Sequence, residues 1–134
     1  MTELEEFFKK DKYAELAGIK LLDVSEGRAK AMLEINENHL NSAGTVHGGA
    51  IFTLADVAFA VASNSHGTLA AAINSSISFF KGVSNGVLYA EARELSCHPK
   101  LASYIIDITN EKNELIATFQ GMVYRKKTML KVEE

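Results

Sequence analysis

The chain has 134 residues, of which 47% are hydrophobic and 23% charged, the balance of an ordinary soluble globular protein with one domain. Its 14 basic and 17 acidic residues give a formal net charge of −3, which gives no sign of the basic face expected of a nucleic-acid-binding protein, so we expect no nucleic-acid partner. A single cysteine, Cys97, excludes an internal disulfide and indicates a reducing compartment. The acidic start is not a secretion signal and no apolar run reaches the roughly 18 residues of a membrane helix, so we expect a cytoplasmic protein with no membrane partner.

The first third of the chain predicts short helices followed by a β-hairpin. Residues 2–17 carry apolar side chains at helical spacing and predict one or two short helices, which Gly18 ends. Residues 19–24 and 29–35 predict two strands joined by turn residues. Residues 36–45 are polar and predict a loop.

A long helix is predicted next, from about Gly48 to Ser65, with Gly67 closing it. Its residues are apolar nearly all round, which is typical of a helix surrounded by other structure. Asp56 is the one charged residue in this run, and a carboxylate there is costly to bury unless it is paired or has a function.

The rest of the chain predicts strands, because apolar and polar residues alternate over 69–80, 87–96, 102–110 and 115–125. In the last strand, one face is predicted to hold Leu115, Ala117, Phe119, Gly121 and Val123. The connections at 82–86, 98–100 and 110–113 have the composition of hairpin turns.

These elements predict a single α+β domain over residues 1–134, with an N-terminal helical segment over 1–17 and a charged tail over 126–134. An antiparallel sheet of about six strands would curl around the long helix. A small sheet of this kind leaves a face and edges uncovered, so we expect a homo-oligomer.

The start of the long helix has the properties of a site for a developing negative charge. A helix start leaves backbone N–H groups unpaired, and glycines let a ligand approach them closely. Gly48 and Gly49 could therefore offer N–H groups to an oxyanion, or could only permit close helix–sheet packing.

Asp56 lies seven residues after Gly49, nearly two helical turns later, on the same face and about 10 Å along the axis. A catalytic group must come within about 3 Å of the reacting atoms, so one small carbonyl cannot reach both residues of one chain. If both act on one substrate, they come from two antiparallel helices of a symmetric dimer. The alternative is a structural aspartate hydrogen-bonded to a loop.

Asn41 and His47 flank the loop before the helix. His47 could bond the loop backbone or a substrate carbonyl. Asn41 could cap the loop or orient a water molecule.

The segment N-S-A-G-T-V-H-G-G-A-I-F-T-L-A-D-V-A-F-A, residues 41–60, resembles the signature of hotdog-fold acyl-CoA thioesterases of the phenylacetic-acid-degradation (PaaI) type, in the 4-hydroxybenzoyl-CoA thioesterase superfamily. The resemblance extends over residues 18–125 and implies a hotdog fold. It also implies hydrolysis of an acyl-CoA, and an aryl or phenylacetyl group is one option for the acyl part. It implies Asp56 as general base or nucleophile and the Gly49 N–H as the group polarising the thioester carbonyl. Asn41 and His47 would align the carbonyl or the attacking water.

The chain departs from the family pattern after the helix. Lys81-Gly82 stands where the family often has an arginine–proline pair, and Lys81 could still meet a CoA phosphate as a point charge. Some members carry a serine or threonine at the position of Ala72. A set of nearby polar residues could fill that role or be ordinary strand residues: Asn74, Ser75 and Ser76.

Other chemistries lack support in the sequence. The four histidines show no short metal-ligand spacing and no nucleotide-binding fingerprint occurs, so we predict no metal and no cofactor. Cys97 and His98 are adjacent on a predicted strand end, point to opposite faces, and are not expected to form a nucleophile–base pair.

We therefore predict a cytoplasmic homo-oligomeric acyl-CoA thioesterase, at least a dimer and expected to be a homotetramer. Gly48 would help bind the substrate. Two alternatives share the fold. A hydroxyacyl-thioester dehydratase should place a histidine and an acid together, and a non-catalytic acyl-CoA-binding protein should tolerate loss of Asp56.

Overall fold

The computed structural model describes residues 2–130. Two short helices, α1 (Glu3–Phe8) and α2 (Lys12–Ala17), precede a hairpin of β1 (Ile19–Ser25) and β2 (Arg28–Glu34). After a 3-10 turn at Glu37–His39 come the long helix α3 (Gly48–Asn64) and the strands β3 (Thr68–Phe79), β4 (Val87–Cys97), β5 (Leu101–Asn110) and β6 (Leu115–Met129). This order confirms the prediction of short helices, a hairpin, one long helix and four strands.

Local chemistry explains where the helices begin and end. The Asp11 side chain accepts a hydrogen bond from the Ala14 N–H at 3.0 Å, which caps the start of α2. Gly18 ends α2 in the left-handed conformation, with φ of 81°. Gly67 also has positive φ, and its N–H bonds the carbonyl of Asn64 at 3.2 Å, so the chain leaves α3 there as predicted.

All six strands form one antiparallel sheet in the order β1-β2-β4-β5-β6-β3. α3 contacts every strand of this sheet, so the sheet curls around the helix. A single long helix enclosed by an antiparallel sheet is the hotdog fold that the resemblance implies. None of the helices within residues 2–130 is long and apolar enough to span a membrane.

The core lies between α3 and the sheet, where the ring of Phe59 packs on two strands. Its centroid is 5.9 Å from that of Tyr104 on β5 and 5.4 Å from that of Phe119 on β6. Gly121 permits this packing, because a Cβ there would lie 2.6 Å from the Phe59 ring. The aromatic ring of the helix thus occupies the space that a side chain on β6 would need.

The prediction of a hairpin at residues 82–86 is wrong. β3 pairs with β6 at the edge of the sheet, whereas β4 pairs with β2 and β5. The connection therefore crosses from the edge to the middle of the sheet. The other two predicted hairpins, at 98–100 and 110–113, do join neighbouring strands.

Two predictions about the last strand also need correction. Leu115 is exposed and Ile116 is fully buried, because the β5–β6 pairing shifts register at Ile108 and Thr109 and turns Leu115 away from the core. The predicted tail over 126–134 begins too early, since β6 continues to Met129. Residues 131–134 of that tail and Met1 of the N-terminal segment lie outside the described part of the chain.

Replacing Gly121 with alanine should destabilise the protein by about 1–3 kcal/mol, because the new methyl group must displace the Phe59 ring. Chemical denaturation measures the loss. Gly82→Ala is the matched control, since its Cβ would make only an ordinary 3.6 Å contact with Thr45. Equal stability of the two variants would contradict this account of the core.

Candidate functional site

Asn41 fixes the loop that leads into α3. Its side-chain Oδ1 accepts hydrogen bonds from the N–H groups of Ala43 at 2.9 Å and Thr45 at 3.2 Å. Its backbone N–H donates to the Thr45 carbonyl at 2.8 Å. The side chain is exposed, so Asn41 caps this loop in the structure, one of its two predicted roles.

His47 caps the start of α3. Its Nδ1 accepts the Gly49 N–H at 2.8 Å, which requires the neutral tautomer protonated at Nε2. The Gly49 N–H, predicted to polarise a carbonyl, is therefore already hydrogen-bonded. Since both residues are exposed, a substrate oxygen at this position would compete with the imidazole.

The two glycines at the helix start have different surroundings. A Cβ on Gly48 would lie 3.2 Å from the Phe79 ring, so Gly48 permits close packing of α3 against β3. A Cβ on Gly49 would meet only the His47 ring within 4 Å. Close helix–sheet packing thus explains Gly48 but not Gly49, which faces outward.

Asp56 lies in the middle of α3 and is half-buried. Its side chain has no hydrogen-bond partner among residues 2–130. Burial, and secondarily the negative charge of Asp11 at the start of α2, raise the pKa of Asp56. The predicted alternative, a structural aspartate hydrogen-bonded to a loop, does not describe this side chain. A partly desolvated, unpartnered carboxylate with a raised pKa is typical of a functional group.

An apolar groove lies along α3, one helical turn beyond Asp56. It has a volume of about 360 Å³ and is lined by Phe7, Phe8, Lys10, Asp11, Ala60 and Val61. Ala60 follows Asp56 by one helical turn, so the groove opens on the face of α3 that carries the carboxylate. The groove is not predictable from the sequence, because helical spacing does not reveal that α1 packs against α3.

The polar residues predicted on β3 do not share a face. Ser75 pairs with the core-facing Gly121, whereas Asn74 and Ser76 pair with Met122 and Gln120, which point outward. All three are exposed, since β3 is an edge strand. Of the three, Ser75 alone lies on the side of the sheet that faces α3.

Lys81 follows β3 and is engaged by the protein itself. Its ammonium group forms an ion pair with the carboxylate of Glu114. Hydrogen bonds from Lys81 and then Asn110 lower the pKa of Glu114. A phosphate at Lys81 would therefore have to replace this carboxylate.

The predicted site residues fall into separate groups within one chain. Asn41, His47, Gly48 and Gly49 gather at the start of α3. Asp56 lies about 10 Å further along the helix axis. The polar residues of β3 and Lys81 lie on or beside the exposed sheet edge.

The chain resembles known proteins in both sequence and fold. A sequence profile of the Thioesterase superfamily matches residues 43–117. A putative esterase of Archaeoglobus fulgidus is 47% identical over 119 residues, which cover 88% of this chain and 77% of that protein. The acyl-coenzyme A thioesterase PaaI of Escherichia coli is 33% identical over 119 residues, which cover 88% of this chain and 85% of that protein.

Two solved structures have the same fold. The E. coli PaaI protein, from the phenylacetic acid degradation operon, superposes with a TM-score of 0.92 at 29% identity, covering 96% of this chain and 94% of that one. The phenylacetic acid degradation protein PaaI of Thermus thermophilus gives a TM-score of 0.83 at 34% identity, covering 87% of this chain and 100% of that one.

Asp56→Asn should stabilise the protein at neutral pH by about 1 kcal/mol. A gain of this size is typical when a residue that is retained for function is replaced. Because the pKa of Asp56 is raised in the folded state, folding binds its proton more tightly. Wild-type stability therefore falls, relative to the variant, as pH rises from the ordinary aspartate range through that raised pKa. Below the ordinary range the two proteins should be equally stable.

Denaturation of both proteins across this pH range measures the difference. Asp11→Asn keeps the cap of α2, because asparagine caps helices as well as aspartate does. This variant should show part of the stability gain of Asp56→Asn, because loss of the Asp11 charge lowers the pKa of Asp56. An Asp56→Asn protein less stable than wild type at neutral pH would contradict the assignment.

Proposed function

The chain belongs to the thioesterase superfamily, as a hotdog-fold thioester hydrolase of the PaaI type, and on this basis we propose that it hydrolyses an acyl-CoA to the free acid and CoA. The observation that supports this best is the carboxylate of Asp56. This carboxylate is the one charged group on α3 and is half-buried. It has no hydrogen-bond partner among the described residues, and its pKa is raised.

Asp56 supplies the group that initiates hydrolysis. The carboxylate either takes a proton from an attacking water or attacks the thioester carbonyl itself. Both roles require the ionised form, and a raised pKa makes that form a stronger base near neutral pH. The rate should therefore rise with pH through the raised pKa of Asp56.

The start of α3 supplies the partial positive charge. In the proposed complex the thioester oxygen replaces the His47 imidazole as acceptor of the Gly49 N–H, and His47 turns to align the substrate. The helix dipole adds to this stabilisation of the developing oxyanion. Gly48, already packed on Phe79, leaves room for the substrate, and Asn41 holds the loop in place.

A dimer brings the two groups together. The unpaired edge of β3 exposes Ile73 and Phe79 and carries backbone groups able to pair with a second copy. Antiparallel pairing of two β3 edges sets two α3 helices side by side in opposite directions. Asp56 of one protomer then approaches Gly49 of the other, and two such dimers form the proposed tetramer.

The groove along α3 fits the acyl group. Its volume of about 360 Å³ and its two aromatic residues, Phe7 and Phe8, favour an aryl acyl group such as phenylacetyl. The CoA part extends past Ser75 on the helix side of the sheet, because the β3 edge itself is paired with the second copy in the proposed dimer. Lys81 binds a phosphate of CoA there, and this phosphate replaces Glu114 as the ion-pair partner of Lys81. The proposed compartment is the cytoplasm.

Asp56→Asn should lower the turnover of acyl-CoA by at least about 100-fold, since a positioned acid or base contributes this much or more. Release of the CoA thiol measures turnover. Asp107→Asn is the matched control, because asparagine can still accept the Thr118 hydroxyl, and it should retain activity within about twofold.

The same assay should compare phenylacetyl-CoA, octanoyl-CoA and acetyl-CoA. The highest kcat/KM is expected for phenylacetyl-CoA. Full activity of Asp56→Asn would remove the assigned role of the acid. Binding of all three compounds without any CoA release would favour the non-catalytic alternative.

A further inference from the structure

We propose that His66, Glu94 and Cys97 form a binding site for a thiophilic divalent cation such as Zn²⁺, at the end of α3 remote from Gly49. One donor atom from each of these residues lies within 4.8 Å of the other two. Imidazole, thiolate and carboxylate are the three ligand types that zinc takes from proteins. The sequence predicts no metal, because these residues are too far apart in the chain to show a ligand spacing.

A β-bulge brings the three residues together. Residues three apart on a regular strand point to opposite faces, so Glu94 and Cys97 should diverge. The β4–β5 pairing shifts register between Glu94 and Ser96. As a result Glu94 pairs with Tyr104 and Cys97 with Ala102, two buried residues of the same face. Bulges that redirect a side chain in this way are common beside functional sites.

The distances fit a tetrahedral ion after small adjustments. His66 Nε2 lies 2.9 Å from Glu94 Oε2 and 3.9 Å from Cys97 Sγ. Metal–ligand bonds of about 2.0–2.3 Å place neighbouring ligand atoms about 3.3–3.7 Å apart in a tetrahedron. Shifts of less than about 1 Å therefore suffice, and a water molecule can complete the coordination, since Cys97 is exposed.

His66 has the partner that metal-binding histidines usually have. Its second ring nitrogen, Nδ1, lies 3.3 Å from Glu26 Oε1 in the turn between β1 and β2. A carboxylate at this nitrogen holds the Nδ1–H, so Nε2 can bind a metal in place of the proton that it donates to Glu94. The Gly27 N–H bonds Ser65 Oγ at 2.7 Å and holds the same turn against the end of α3.

A buried polar atom lies near the cluster. The Tyr104 hydroxyl is fully buried and has no hydrogen-bond partner among residues 2–130. Burial, followed by the negative charges of Glu94 and Cys97, raises the pKa of Tyr104, so the hydroxyl stays protonated beside them. It is able to donate to a metal-bound water or carboxylate.

The charges of the cluster balance with a divalent ion present. Two carboxylates and a thiolate give −3, Arg125 nearby gives +1, and the ion gives +2. A bound metal deprotonates a coordinating thiol directly, so Cys97 would bind the ion as the thiolate.

An ion here would join three segments of the fold: the β1–β2 turn, the end of α3 and β4. α3 has 17 residues and is about 25 Å long, so the ion would be remote from the helix start. Its role would be to hold the end of α3 against the sheet. The site does not depend on the proposed hydrolysis.

Titration with Co²⁺, a spectroscopic substitute for Zn²⁺, tests the proposal on the tag-free full chain after treatment with a chelator. We expect one equivalent per chain, a thiolate-to-cobalt charge-transfer band in the near ultraviolet, and loss of that band when Zn²⁺ is added. Cys97→Ala should abolish the band, and Glu26→Gln should weaken Zn²⁺ binding about 10–100-fold.

His98→Ala is the control, since His98 adjoins Cys97 but is not part of the cluster, and it should bind Zn²⁺ as the wild type does. Absence of the charge-transfer band from the wild-type protein would overturn the proposal, whatever the folding of the variants. Zn²⁺ binding that is equally tight in Cys97→Ala and wild type would also overturn it.

Discussion

A carboxylate in the middle of an apolar helix is the constraint on which this structure depends. The sheet surrounds α3 and removes most of its surface from water. The carboxylate of Asp56 is nevertheless half-buried on that helix and has no hydrogen-bond partner in the described part of the chain. Such a group opposes folding when it is ionised. The face of α3 that carries it is left partly open by the sheet, and α1 and α2 cover it only in part, which leaves the groove beside it.

Much of this architecture follows from the sequence, because period-two and helical patterns report which side chains are buried. The pattern of β2 and the closure of α3 near Gly67 are of this kind. The choice of neighbouring strands in the sheet does not follow from such patterns. The glycine-rich segment 82–86 has turn chemistry, but only the whole sheet decides that β3 pairs with β6. The bulges at Ile116 and between Glu94 and Ser96 arise from cross-strand register, which the pattern of a single strand does not contain.

The candidate site was predictable in part for similar reasons. The motif around His47, Gly49 and Asp56 is local and was identified from its residues. The hydrogen bond from the Gly49 N–H to His47 was not, and it gives the imidazole a capping role that a substrate must displace.

The central claim is that one protomer supplies Asp56 and its partner supplies the Gly49 N–H. Mixed dimers of Asp56→Asn and Gly49→Pro chains test it most directly, after each variant is shown to fold. Each variant alone should be inactive. Because a mixed dimer keeps one intact shared site of two, random mixing should restore about a quarter of wild-type acyl-CoA hydrolysis. No recovery on mixing, with mixed dimers demonstrably formed, would contradict the shared site.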